Sequence, residues 1–200
     1  MLGDFILTGF TFVSSSTGEA SLVTASQITV DPTGSTPTSL SLQFSTPGGF
    51  HVNQGQTAEY IFRYLLDPLL PGIGGPIVDL GPNDPVTLTG EFCGDGTLSS
   101  APKAQPVVCI GSATTGIFPA RLQIVGTGTP ASQSFQFPSL VTTMDNRLIL
   151  DLVGPANLAS FGWGATVNGT GPTPAPEPST LLLLTPALLA LTWARKRRYR

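Results

Sequence analysis

Between Phe5 and about Gly169 apolar residues recur at every second position in short runs. Residues 10–13, 39–44, 86–92, 122–125 and 134–137 alternate in this way, and residues 148–153 are more continuously apolar. A period of two puts one side of a run on a core and the other in water, which is the pattern of a half-buried strand. The runs are also rich in the β-branched and aromatic side chains that suit a pleated sheet. Between them stand breakers: Asp31-Pro32-Thr33-Gly34, Pro47-Gly48-Gly49, Pro71-Gly72-Ile73-Gly74-Gly75-Pro76 and Gly81-Pro82-Asn83-Asp84-Pro85. Strands that return every dozen or so residues with such turns predict an all-β, antiparallel β-sandwich, Ig-like or jelly-roll-like, of roughly eight to ten strands. Residues 57–66 have some helix propensity, and Asp67-Pro68 and Pro71 would end a helix abruptly. Tyr60, Phe62 and Tyr64 alternate with Ile61, Arg63 and Leu65, which favours a strand.

Composition removes the rival classes. With 23 Gly, 19 Pro and only 10% charged residues, the chain is no long-helix protein. At 40% hydrophobic with a net charge of −3 it lacks the signature of disorder as well. Charge placement says more than the net value. Of nine basic residues, five lie in the last six positions, and Arg63, Lys103, Arg121 and Arg147 are spread over the rest. The first 194 residues therefore hold four basic groups against all twelve acidic ones, a net of −8. Such a body offers no clustered Lys and Arg for DNA or RNA, and no nucleic-acid partner is expected.

Candidate chemistry within the body is sparse. Cys93 and Cys109 enclose 15 residues, each at the end of a strand-like run. In an oxidising compartment they would close a disulfide worth about 3 kcal/mol on the chain-entropy model; the alternative is two buried thiols. Zinc would need four ligands, and beyond these two the chain has only His51. That histidine, in a loop or at a strand edge, is the only one available to a nucleophile-base pair. No nucleophile elbow, zinc-protease helix or phosphate loop is present. Asp79 with Asp84, or Asp145 with Asp151, would be the carboxylate pairs open to a glycosidase, although surface acids in loops are commoner. Oxygens of Asp79, Asn83 and Asp84 are the set open to calcium. Asn168-Gly169-Thr170 fits the glycosylation sequon. No catalytic residue, metal or cofactor is assigned on these features.

The last thirty residues are more specific. Residues 166–173 are small and polar, and Pro174-Ala175-Pro176-Glu177-Pro178 follows. Residues 181–194 are uncharged and mostly apolar, with Pro186 inside and Trp193 near the end. Arg195, Lys196, Arg197, Arg198 and Arg200 close the chain. Fourteen residues at about 1.5 Å each span roughly 21 Å, short of a hydrocarbon core of about 30 Å. Such a run suits a transient anchor, with its basic end held on the cytoplasmic side. The domain order is then a β-sandwich ectodomain over residues 1–168, a Pro/Gly-rich linker over 169–178, and a sorting segment over 174–198. The segment contains a transmembrane helix at 179–194, and the basic tail covers 195–200.

This arrangement resembles the PEP-CTERM sorting signal of Gram-negative bacteria. The motif falls on Pro176, Glu177 and Pro178, the apolar segment follows, and Arg195, Lys196, Arg197 and Arg198 form the basic stop-transfer element. The resemblance implies processing by exosortase, a membrane cysteine protease-transpeptidase, and an association with exopolysaccharide and biofilm. It implies passage through the inner membrane, body outside and tail cytoplasmic, and then the cell surface or extracellular matrix. Proteins with this tail normally begin with a secretory signal peptide. Met1-Leu2-Gly3-Asp4-Phe5-Ile6-Leu7 has no basic start and a short, interrupted apolar stretch, so a start upstream of Met1 is expected. Three readings of the body follow. The first is a non-enzymatic envelope or matrix protein. The second is an extracellular polysaccharide-binding module, with Phe50, Tyr60 and Trp163 as loop aromatics stacking on sugar rings. The third is a secreted hydrolase dependent on His51.

Overall fold

The computed structural model describes residues 5–33, 39–68, 72–81, 86–101, 103–111, 116–126 and 128–166. Pro176, Glu177, Pro178, Arg195, Lys196, Arg197 and Arg198, and with them the expected helix at 179–194, lie outside the described residues. Among the described residues no helix is long and apolar enough to cross a membrane.

The alternating runs other than 134–137 become strands, most of them with the expected side inward. The strands are β1 (Phe5–Thr17), β2 (Thr29–Pro32), β3 (Ser39–Val52), β4 (Thr57–Pro68), β5 (Gly75–Leu80), β6 (Val86–Gly94), β7 (Thr97–Leu98), β8 (Cys109–Ile110), β9 (Phe118–Val125), β10 (Ala131–Ser134), β11 (Met144–Val153) and β12 (Ala156–Thr166). A single 3-10 turn, Ala25–Gln27, lies between β1 and β2. Residues 57–66, ambiguous in sequence, lie in β4, which buries Tyr60, Phe62, Tyr64 and Leu66 and turns Glu59, Ile61 and Arg63 outward.

Two five-stranded sheets form, ordered β1-β4-β11-β6-β9 (sheet A) and β10-β5-β12-β3-β2 (sheet B), with a two-stranded β7-β8 hairpin apart from them. Every pairing is antiparallel. From β3 through β6, and again from β9 through β12, each strand crosses to the opposite sheet from the last. That is jelly-roll order, in which strands alternate between two sheets whose inner faces bury one core. The sandwich is linked on one side by the Gln123 amide, which donates from β9 to Oε1 of Gln133 in β10 at 3.0 Å.

Aromatic rings fill the space between the sheets. Phe44 of β3 stacks on Phe161 of β12 at 5.0 Å between centroids, and Phe62 of β4 meets Phe12, Phe44 and Phe161 at 5.1, 5.2 and 5.4 Å. Tilted and edge-on contacts at these spacings add about 0.5–1.5 kcal/mol per pair beyond area burial.

Among the described residues ten strands form the sandwich, at the top of the expected eight to ten, and the hairpin adds two more in a segment with no alternation to reveal it. One expectation changes. Residues 134–137 are not a strand of their own: β10 ends at Ser134. The amides of Phe135 and Phe137 instead donate to the carbonyls of Pro76 and Gly74, at 3.1 and 2.8 Å.

Candidate functional site

The outer face of sheet A carries a lateral row of charge. Register sets Arg63 of β4 opposite Arg147 of β11, Arg147 opposite Glu91 of β6, and Glu91 opposite Arg121 of β9. Residues 95–101 and 103–111, containing β7 and β8, cross this face as a flap. Asp95 fixes the flap's entry, its Oδ1 accepting from the amide and hydroxyl of Thr142 at 2.7 and 2.8 Å. Arg63 donates from Nη2 to Asp145 Oδ2 at 2.7 Å and to the Leu98 carbonyl at 2.8 Å, and the Leu98 amide donates to the same carboxylate at 2.9 Å. Arg147 pairs with Glu91, donating from Nε to Oε2 at 2.6 Å, and its Nη1 donates to the Ala101 carbonyl at 2.5 Å. Lys103 reaches back from the flap to Glu59 and Asp151, at 2.5 Å each.

The four cations that looked scattered in sequence, all those among the described residues, therefore meet on one face. The hydrogen bonds that Arg63 donates to Asp145 raise its pKa above the usual arginine value. Burial pulls Lys103 down, but the bonds it donates to Asp151 and Glu59 outweigh that and leave it above the usual lysine value. Burial also raises Asp151, against the pull of Lys103. These charges hold the flap; they are not arranged to transfer protons.

Cys93 and Cys109 are disulfide-bonded with their Cα atoms 5.8 Å apart, as expected, and tie the flap to β6. Asp145 and Asp151 do not form a glycosidase pair. They lie six residues apart on one strand, about 20 Å at strand rise, whereas paired acids need roughly 5–9.5 Å. Each is already in an ion pair. Asn83 and Asp84, and with them the second acid pair and the calcium set, lie outside the described residues, as does Asn168. Among the described residues no three His, Cys, Asp or Glu side chains gather to hold a metal. His51 is exposed near the end of β3, opposite Asn157.

Phe50, Tyr60 and Trp163 are not loop aromatics. All three are fully buried. The cause for Phe50 is that Pro47-Gly48-Gly49 does not end a strand. Gly48 and Gly49 take φ of 85° and 76°, a conformation open to glycine. They form a bulge opposite β12, where the register shifts between Leu158 and Ser160. Such a bulge re-aims the residues that follow it, and Phe50 turns into the core. Tyr60 and Trp163 are simply inward positions of β4 and β12.

Sheet B carries no such flap among the described residues, and its outer face is polar. One lateral row reads Asp31, Gln43, Gly162, Asp79, Ser132 across β2, β3, β12, β5 and β10. Gly164, two residues on, lies opposite Ser41 and Ile77. Because β12 presents Gly162 outward, its backbone there floors a furrow between β3 and β5. A Cβ on Gly162 would sit 3.1 Å from that of Asp79. The furrow encloses about 290 Å³, lined by Thr33, Ser41, Gln43, Asp79, Ser160 and Gly162 among others. Gln43 donates from Nε2 to the Ser160 hydroxyl at 2.9 Å. Sequence reading missed this site because glycines on an outward face look like breakers.

No family model matches the chain, and no curated protein matches it. Solved structures similar to it include TmCBM61 in complex with beta-1,4-galactotriose, 7% identical over 78% of this chain and 84% of that one, with a TM-score of 0.36. The family 11 carbohydrate-binding module of the cellulosomal cellulase Lic26A-Cel5E of Clostridium thermocellum is 8% identical over 78% of this chain and 87% of its own, at a TM-score of 0.29. The enzymatically active domain of bacteriophage CBA120 tailspike protein 4 is 13% identical over 83% of this chain, which spans 19% of that one, at a TM-score of 0.31.

Proposed function

We propose that the sandwich is a non-catalytic module that binds a neutral polysaccharide along the furrow of sheet B. The observation that carries this reading is the glycine-floored furrow itself, with an amide, a carboxylate and hydroxyls at its rim. Adjacent sugar hydroxyls need both donors and acceptors. Gln43 supplies both, Asp79 accepts, and the hydroxyls of Ser41, Ser160 and Thr33 rotate to suit. No aromatic ring faces outward in this lining, so recognition is by hydrogen bonding, each bond contributing about 0.5–1.5 kcal/mol net. The full chain in a neutral detergent, run through gels containing neutral polysaccharides, is expected to be retarded by at least one of them. Gln43→Ala and Asp79→Asn are each expected to lose about three- to tenfold in affinity with unchanged melting. Retardation by none of a broad glycan set, or affinities unchanged in both variants, overturns the reading.

The C-terminal segment supports delivery outside the cytoplasm. Its five basic residues, at about 1 kcal/mol each near an anionic leaflet, oppose passage of the tail. The short apolar run then holds Pro176-Glu177-Pro178 near the outer surface for exosortase. In a host with the protease the mature protein is expected to lose its tail and leave the membrane. Changing Pro176-Glu177-Pro178 blocks that processing without preventing insertion. Replacing Arg195, Lys196, Arg197 and Arg198 by Gln weakens retention. An intact mass and the same location in hosts with and without exosortase would leave a simple tail anchor in its place.

A further inference from the structure

We infer that Arg121 and the flap form a second site, which takes a carboxylate carried on a sugar ring: a uronate. Among the described residues Arg63, Lys103 and Arg147 each spend their charge on carboxylates, whereas Arg121 has none within ion-pair distance. Its register partner Glu91 is turned away, giving Oε2 to Arg147 at 2.6 Å and Oε1 to the Ala104 amide at 3.2 Å. The Arg121 guanidinium makes one hydrogen bond, from Nη1 to the Ala104 carbonyl at 3.1 Å, and its Nε is buried without an acceptor.

The edge left unused is therefore the one bearing Nε–H and Nη2–H. Two parallel donors on one edge are what a carboxylate engages in a bidentate pair. Nε is buried in the structure, so binding there requires the wall beside it to move, and would then give Nε the acceptor it lacks.

That wall says what carries the carboxylate. A pocket of about 230 Å³ opens beside Arg121, lined by Pro106, Val107, Pro119, Ala120 and Arg121. It is smaller than the roughly 300–1,000 Å³ of pockets for drug-sized ligands, and suits one ring rather than a chain. Its two prolines and a valine offer apolar surface to the C–H face of a pyranose. A bare anion would use the guanidinium and leave this surface uncovered. Pro106 and Val107 lie just before Cys109, so the disulfide to Cys93 holds one wall in place. The site is on sheet A, away from the furrow of sheet B, and does not depend on what the furrow binds.

The test titrates the full chain, in a neutral detergent, with methyl glucuronoside, methyl glucoside and acetate. Wild type is expected to bind the glucuronoside at least about tenfold tighter than either control, since a charged bidentate pair adds more than a neutral bond. Arg121→Gln should abolish that preference and Arg121→Lys should keep part of it. Reduction of the disulfide should weaken glucuronoside binding, and raised salt should weaken it in wild type. Equal binding of glucuronoside and glucoside, or an unchanged preference in Arg121→Gln, overturns the inference. If Arg121→Gln does not fold, the wild-type protein decides: a preference insensitive to both salt and reduction overturns it equally.

Discussion

Replacing Glu91 by Ala is expected to lower stability by about 3–5 kcal/mol, a large share of the 5–15 kcal/mol that holds a typical domain together. The Glu91 side chain is fully buried and that of Arg147 is 8% exposed. Both Glu91 oxygens are in use, one on Arg147 and one on the Ala104 amide of the flap. Truncation therefore strands a guanidinium charge in a low-dielectric layer, with only the carbonyls of Ser99 and Ala101 to solvate it. It also releases the flap from β6 at that point, leaving the disulfide, the Arg63–Asp145 pair and the Lys103 ion pairs to hold it. The loss comes from the orphaned charge and not from the pair's net value. Accordingly the double replacement Glu91→Leu with Arg147→Met is expected to recover most of it, because a packed apolar pair often equals a buried ion pair. Denaturant unfolding of the three proteins measures both numbers. A loss under about 1 kcal/mol in Glu91→Ala would mean that water reaches Arg147 freely.

What the sequence could show depended on whether a signal is local. The period-two runs in β3, β4, β6, β9 and β11 are local, since strand rise alone decides which side chains share a face. The disulfide was also legible, from two cysteines at strand ends. β12 was not, although Phe161, Trp163 and Ala165 alternate inward without a break. Its outward positions are Gly162 and Gly164 where polar residues usually mark a strand, so the furrow's cause also hid the strand. Pro47-Gly48-Gly49 misled in the opposite way, reading as a turn when it is a bulge within β3. The charge row was beyond reach. Arg63, Glu91, Arg121 and Arg147 are neighbours only because β4, β6, β9 and β11 pair across long connections, and register is set by tertiary packing, not by spacing along the chain.

Trp163→Ala is expected to cost about 3–5 kcal/mol and to leave any glycan affinity of the protein that remains folded near the wild-type value. The indole is fully buried on the inner face of β12 and meets Tyr64 of β4 edge-on at 5.2 Å. Removing it opens a cavity between the sheets, whose size sets the penalty beyond the lost transfer energy. A stacking platform for sugar would behave in the reverse way, with affinity lost and stability kept. Trp163→Phe separates packing from polarity. The Nε1–H has no acceptor among the described residues, so exchanging the indole for an apolar ring loses no hydrogen bond there and costs only the mismatch in volume, about 1.5 kcal/mol or less if the core closes around it. Melting curves and gel retardation on the same samples read both quantities. If Trp163→Ala melts like wild type and loses retardation, the ring faces ligand and the inner face of β12 has been assigned to the wrong side of the sheet. If stability falls and retardation of the folded fraction persists, Trp163 is core and not a platform for sugar.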